Sequence, residues 1–171
     1  IMKKLLRLGM ALLLPVAAVL VVVYKAVNQA PSPELPQYEQ VLEIFDEGGC
    51  LSCHSADPKL PFYAELPVAG KVIMKDIDSG YRAYDMTKFM EELKVDGEVS
   101  PVDLAKIEKV VLDDRMPMAK YYLVHWGSSL TAAKRAIVLD WIHSRRAEMY
   151  NDNLPVSRAA EPVRPIDTYI E

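Results

Sequence analysis

Cysteine is nearly absent: Cys50 and Cys53 are the only two in 171 residues. A scaffold stapled by disulfides is therefore excluded. A basic excess is lacking as well. The first thirty residues hold Lys3, Lys4, Arg7 and Lys25 and no acid, and from Pro31 onward acids outnumber bases 24 to 16. A surface built for nucleic acid would need the opposite sign there. Strand-like alternation is scarce and no internal repeat is present, which leaves helices as the expected building blocks. What remains is apolar, 51% hydrophobic against 26% charged. Global disorder is excluded, and the length suits one domain of ordinary size plus an appendage.

The appendage is N-terminal. Lys3, Lys4 and Arg7 precede an uncharged run from Leu8 to Tyr24. At ~1.5 Å per residue such a helix covers roughly 25 Å, just short of the hydrocarbon thickness. Leu5 and Leu6 extend it, and Arg7 and Lys25 can reach the two interfaces. The run reads as one transmembrane helix, with lipid contact over residues 5–25 and Pro15 tolerated within it. The basic flank predicts a cytoplasmic N-terminus and a periplasmic remainder. A cleavable signal peptide is the competing reading, but Tyr24-Lys25 stands where small residues belong.

Four regions follow: an anchor over 1–29, a proline-rich tether over 30–36, a domain over 37–150 and an irregular tail over 151–171. Within the domain, Gln37 to Glu47 presents Tyr38, Val41, Leu42 and Phe45 on one helix face, stopped by Gly48-Gly49. Ser55 to Lys71, with Pro58, Pro61 and Pro67, reads as mostly loop. Asp85 to Leu93 is a short helix. Ser100 to Leu112 is a stronger one, with Ser100 as N-cap, Pro101 at the first position and Asp103 in the first turn. Thr131 to Tyr150 is the longest, with Ile137, Val138, Trp141, Ile142 and Met149 inward.

Cys50-Leu51-Ser52-Cys53-His54 is C-x-x-C-H, the attachment signature of c-type haem. Two thiols at this spacing reach the two vinyl groups of one macrocycle, and the next residue, His54, reaches the iron. A dithiol redox pair does not require that histidine. A zinc site needs more ligands than His125 and His143 supply. The compartment predicted by the anchor also suits thioether formation. One covalently bound haem c is therefore expected, held by Cys50 and Cys53.

The second axial ligand is sought in Arg115-Met116-Pro117-Met118, a loop between the last two helices. A thioether there would raise the reduction potential. Met116 is preferred because Pro117 stiffens the backbone after it, with Met118 next and His125 third. Met74, Met86, Met90 and Met149 read as packing residues. Tyr63, Tyr81, Tyr84, Tyr121 and Tyr122, and the cations Lys71, Arg82 and Arg115, are partners for haem propionates or ordinary core and surface.

The order E-G-G-C-L-S-C-H, L-P-F-Y, D-I-D-S-G-Y, V-S-P-V-D-L-A-K-I-E, R-M-P-M-A-K-Y-Y-L-V-H-W and L-D-W-I-x-x-x-R-A-E-M-Y resembles the N-terminal domain of membrane-anchored three-haem bacterial cytochrome c peroxidases, the quinol peroxidases. The resemblance spans roughly Tyr38 to Ile166. It implies a small all-α c-type cytochrome domain with long loops, a His54/Met116 haem, and electrons passed from membrane quinol to peroxidase haem domains. As a chain by itself it reads as a one-electron carrier in the bacterial inner membrane rather than an enzyme. The alternatives are the electron-entry domain of a longer quinol peroxidase, or a structural haem subunit of a larger membrane complex.

Overall fold

The computed structural model describes residues 2–95 and 99–152, with the side chains of residues 2–12, 123 and 152 outside the description. Its helices are α1 (Met2–Val27), α2 (Gln37–Glu47), α3 (Pro67–Ala83), α4 (Thr87–Leu93), α5 (Pro101–Leu112) and α6 (Ala132–Asp152). Short 3-10 turns lie at Cys50–Ser52, Phe62–Glu65, Tyr121–Leu123 and Trp126–Ser128. No strand occurs among the described residues, and the fold is all-α.

Local signals explain most of these boundaries. The Ser100 hydroxyl accepts the Asp103 amide at 3.2 Å, with Pro101 at the first helical position of α5. Asp85 takes the Thr87 amide at 2.9 Å and so opens α4 two residues later than the sequence suggests. α2 ends at Gly48, and Gly49 adopts φ +67°. That left-handed conformation favours glycine, and it turns the chain into the 3-10 turn at Cys50. α6 runs to Asp152, and the tail expected from Asn151 otherwise lies outside the described residues.

Ser55 to Leu66 is irregular apart from one 3-10 turn, as expected, but the end of that stretch is not. Pro67 is not a loop residue but the first residue of α3, a helix of 17 residues that was not foreseen. Proline lacks the amide that an N-terminal turn leaves unpaired, so it starts helices as readily as it breaks them.

The core joins four helices. α2 gives Val41, Ile44 and Phe45, and α4 gives Phe89, Met90 and Leu93, preceded by Met86. α5 gives Leu104, Ile107 and Val111, and α6 gives Val138, Trp141 and Ile142. The rings of Phe45 and Phe89 meet edge to face at 5.5 Å, a favoured aromatic geometry. Burying each such side chain stabilises the fold by about 1.5–3 kcal/mol. Lys134 is buried on α6, and its ammonium meets Glu47 at the end of α2 at 2.8 Å. Met74, expected among the packing residues, is half exposed. α3 stands outside this core and buries only Ile77 and Gly80.

α1 is one continuous helix with Pro15 inside. Among the described residues no helix is long and apolar enough to cross a membrane. The first part of the apolar run lies among residues whose side chains are not described, so helix formation alone does not make α1 a membrane span. Its C-terminal end docks on the domain. Asn28 is buried, accepts the Ser129 amide at 2.9 Å, and donates to the carbonyls of Trp126 at 2.7 Å and Tyr24 at 2.9 Å. The Tyr24 hydroxyl donates to Ser129 Oγ at 3.0 Å. An open apolar cavity of about 290 Å³ lies beside this joint, lined by Leu20, Val21, Tyr24, Tyr122, Trp126 and Ser129.

Candidate haem-attachment site

The C-x-x-C-H segment follows the Gly49 turn directly, which brings both thiols and the imidazole to one end of α2. A Cβ at Gly49 would collide with the Tyr121 hydroxyl, so the glycine also lets residue 121 close over the motif. The turn is held by the Cys53 and His54 amides, both donating to the Cys50 carbonyl at 3.2 and 3.0 Å. The Ser55 hydroxyl adds a bond to the Leu51 carbonyl at 2.7 Å. From the other side, Gly80 of α3 lies against the motif. A Cβ there would stand 2.6 Å from the Cys53 carbonyl oxygen.

His54 is oriented by the main chain. Its Nδ1 lies 2.8 Å from the Tyr84 carbonyl oxygen, and the Met86 amide donates to the His54 carbonyl at 2.8 Å. A carbonyl can only accept, so Nδ1 carries the proton and Nε2 keeps its lone pair. This is how a metal-binding histidine is normally fixed. The strand-like residue Tyr84 is itself tied by its hydroxyl to Asp103 at 2.7 Å. Burial first, and that bond second, push the Tyr84 phenol upward.

The thiols differ. Cys50 packs against the core cluster, and burial pushes its thiol up to about 12. Cys53 opens onto a second cavity of about 290 Å³ and is raised by burial, then by the Asp76 carboxylate, with Lys120 acting the other way. One face of α3 walls this cavity with Val72, Ile73, Asp76 and Ile77. The opposite walls come from Leu60, Pro61 and Tyr63, and from Met118, Lys120, Tyr121, Val124 and His125. Lys120 pairs with Asp76 at 2.6 Å.

The second-ligand candidates divide. Met118 lines the cavity shared with Cys53, whereas Met116 is partly buried outside that lining. His125 has both ring nitrogens engaged. Its Nδ1 faces the Tyr121 carbonyl at 3.3 Å, its Nε2 faces the Tyr63 hydroxyl at 3.2 Å, and its ring stacks on Tyr121 at 3.9 Å. It is held as a wall residue. His143 lies far off and bonds Glu108 at 3.2 Å. Of the expected propionate partners, Arg82 pairs with Asp78 and Arg115 with Asp113, while Lys59 and Lys120 are the cations at the cavity. Lys71 is exposed on α3 and lines neither cavity. Sequence reasoning missed the α3 wall; the step of Val72, Ile73, Asp76 and Ile77 along one helical face was its signal. Among the described residues no cluster of three or more His, Cys, Asp or Glu side chains is arranged to hold a bare metal ion.

A pair of half-buried thiols beside a cavity, with an imidazole presenting a free Nε2, is the donor set of a haem-binding domain. The chain belongs to that family: the haem-binding domain matches residues 15–144. It is also similar to the cytochrome c peroxidase Ccp of Escherichia coli (strain K12), at 38% identity over 129 residues. That match covers 74% of this chain and 28% of the relative's length. No solved structure matches.

Proposed function

We propose that this chain is a membrane-tethered c-type cytochrome domain that relays single electrons from a quinol-linked donor to peroxidase haems. The carrying observation is the His54 Nδ1 contact with the Tyr84 carbonyl at 2.8 Å, directly after the two thiols. Cys50 and Cys53 would hold one haem per chain by thioethers, and His54 Nε2 would bind its iron. A thioether of the Arg115–Met118 loop would be the second iron ligand, Met116 by the resemblance and Met118 by its place in the cavity wall. When bound, haem supplies a one-electron ferric/ferrous couple. Leu60, Val72, Ile73 and Ile77 give the cavity an apolar wall, which would lie against a bound haem and favour its less charged ferrous state.

Relation to a peroxidase supports peroxidase haems as the acceptor. The described side chains of α1 support the anchor, since Leu13, Leu14, Val16, Val19 and Val22 are all exposed on a stretch of the helix that carries no charge. The haem domain then lies in the periplasm, on the far side of the inner membrane from Lys3, Lys4 and Arg7. The open apolar cavity between α1 and Trp126 supports a lipid-soluble donor.

The test is haem retention. The chain is produced with export and c-type maturation, denatured and extracted with acidified acetone. The expected result is one haem per chain, retained on the polypeptide and lost in Cys50→Ser/Cys53→Ser. Haem that passes into the acetone overturns thioether attachment.

A further inference from the structure

We infer that the haem domain lies against the bilayer through the exposed apolar side chains of Phe62, Leu66, Val68 and Trp126, which turns the Cys53 cavity toward the lipid. This rests on the reading of α1 as a membrane anchor and adds an orientation that the anchor alone does not require.

The surface is unusual in composition. Phe62 is 86% exposed and Val68 79%, and Leu66 and Trp126 are exposed as well. Single exposed apolar residues are ordinary, but a group on neighbouring turns marks an interaction surface. Between Leu60 and Val68 the sequence has one charge, Glu65.

Position in the fold selects the partner. Trp126 and Tyr122 share a cavity with Leu20, Val21 and Tyr24 of α1. Leu20 lies five residues before Lys25, about 8 Å along the helix axis. This part of the domain therefore sits level with the last apolar turns of the anchor, not above them. Asn28 and its three hydrogen bonds fix that level. A tryptophan at the boundary between lipid and water is in its preferred place.

The rim of the Cys53 cavity links Trp126 to Phe62. Val124, two residues from Trp126, shares the wall of the Cys53 cavity with Leu60 and Pro61. Phe62 packs edge to face on Tyr63 at 5.4 Å, and Tyr63 bonds His125, the neighbour of Trp126. Lys59 stands at the same cavity, where an anionic headgroup layer would attract it, while Lys120 is paired there with Asp76. Continuity with the apolar helix favours lipid over a protein partner as the covering layer.

A benzoylphenylalanine photoprobe is placed at position 62, 19 or 150 of the full-length holoprotein. Each variant is reconstituted into phosphatidylethanolamine/phosphatidylglycerol vesicles and irradiated. Position 19 reports on the anchor, and Tyr150, exposed at the opposite end of α6 from Ser129, is the aqueous control. The expected result is a mass shift of one phospholipid at positions 62 and 19 and none at 150. A lipid adduct at 19 without one at 62, or a protein crosslink at 62, overturns the surface and leaves the anchor standing. No lipid adduct at 19 overturns the anchor, and this inference with it.

Discussion

The imidazole of His54 is oriented by the carbonyl of Tyr84, which lies 2.8 Å from its Nδ1. The contact uses the main chain of residue 84, so the identity of that side chain is secondary to ligation. His54→Ala should leave haem attached through the two thiols but convert the ferric spectrum from low to high spin. Tyr84→Phe loses only the hydroxyl bond to Asp103, should cost about 1 kcal/mol in denaturant unfolding, and should keep the low-spin spectrum. A high-spin Tyr84→Phe variant would contradict this division of roles.

Met116 and Met118 bracket one proline, and a single iron can take only one of them. Met116→Ala and Met118→Ala are expected to differ sharply. One of them opens the sixth position, so that the reduced protein binds carbon monoxide and the potential falls; the other leaves both unchanged. Unaltered spectra in both variants would rule out thioether ligation from this loop.

Gly80 is fixed by packing rather than by backbone conformation. A methyl group there would stand 2.6 Å from the Cys53 carbonyl and 3.3 Å from its Cβ. Neither neighbour is a flexible side-chain tip, so Gly80→Ala must push α3 away from the motif. The expected cost is about 1–3 kcal/mol in chemical denaturation, with a lower yield of attached haem. Unchanged stability would mean that α3 approaches the motif less closely.

Asn28 joins α1 to the domain with a buried amide that satisfies one donor and two acceptors. Asn28→Ala strands the Ser129 amide and the Trp126 carbonyl and should cost about 1–3 kcal/mol. Hydrogen exchange at Ser129 should accelerate, while amides of the α5–α6 core keep their protection. Uniform acceleration throughout would indicate a global rather than a local role.

The thiols of the haem-free chain should be slow to alkylate at neutral pH, because burial raises both above the ordinary thiol value, Cys50 to about 12. A raised thiol is neutral at pH 7 and gains thiolate only as pH rises, so iodoacetamide labelling should speed up steadily into the alkaline range. Cys53, which opens onto a cavity, should react before Cys50. The same shift stabilises the fold below the unfolded thiol value near 9, and that contribution fades as pH climbs toward 12. Rapid labelling of Cys50 at neutral pH would contradict its burial.

The sequence was legible wherever a signal is local. The Ser100–Pro101 cap, the Gly48-Gly49 stop, and the apolar faces of α2, α5 and α6 each depend on residues within a few positions of one another. Cys50, Cys53 and His54 are read the same way, since the proposed attachment chemistry rests on five consecutive residues. Pro67 misled because one residue serves two opposite local roles, and nothing adjacent to it chooses between them.

By itself, then, the sequence determined the all-α class, most helices and the donor set. Only the tertiary structure decided which α3 face walls the cavity, that Tyr84 aims His54, that His125 is already occupied by Tyr63 and Tyr121, and that Asn28 locks the helix to residues 126–129. The His54–Tyr84, Tyr63–His125 and Asn28–Ser129 contacts among them join residues 30 to 101 positions apart in the chain. Approach over such distances is set by how the core packs, and no short-range spacing encodes it.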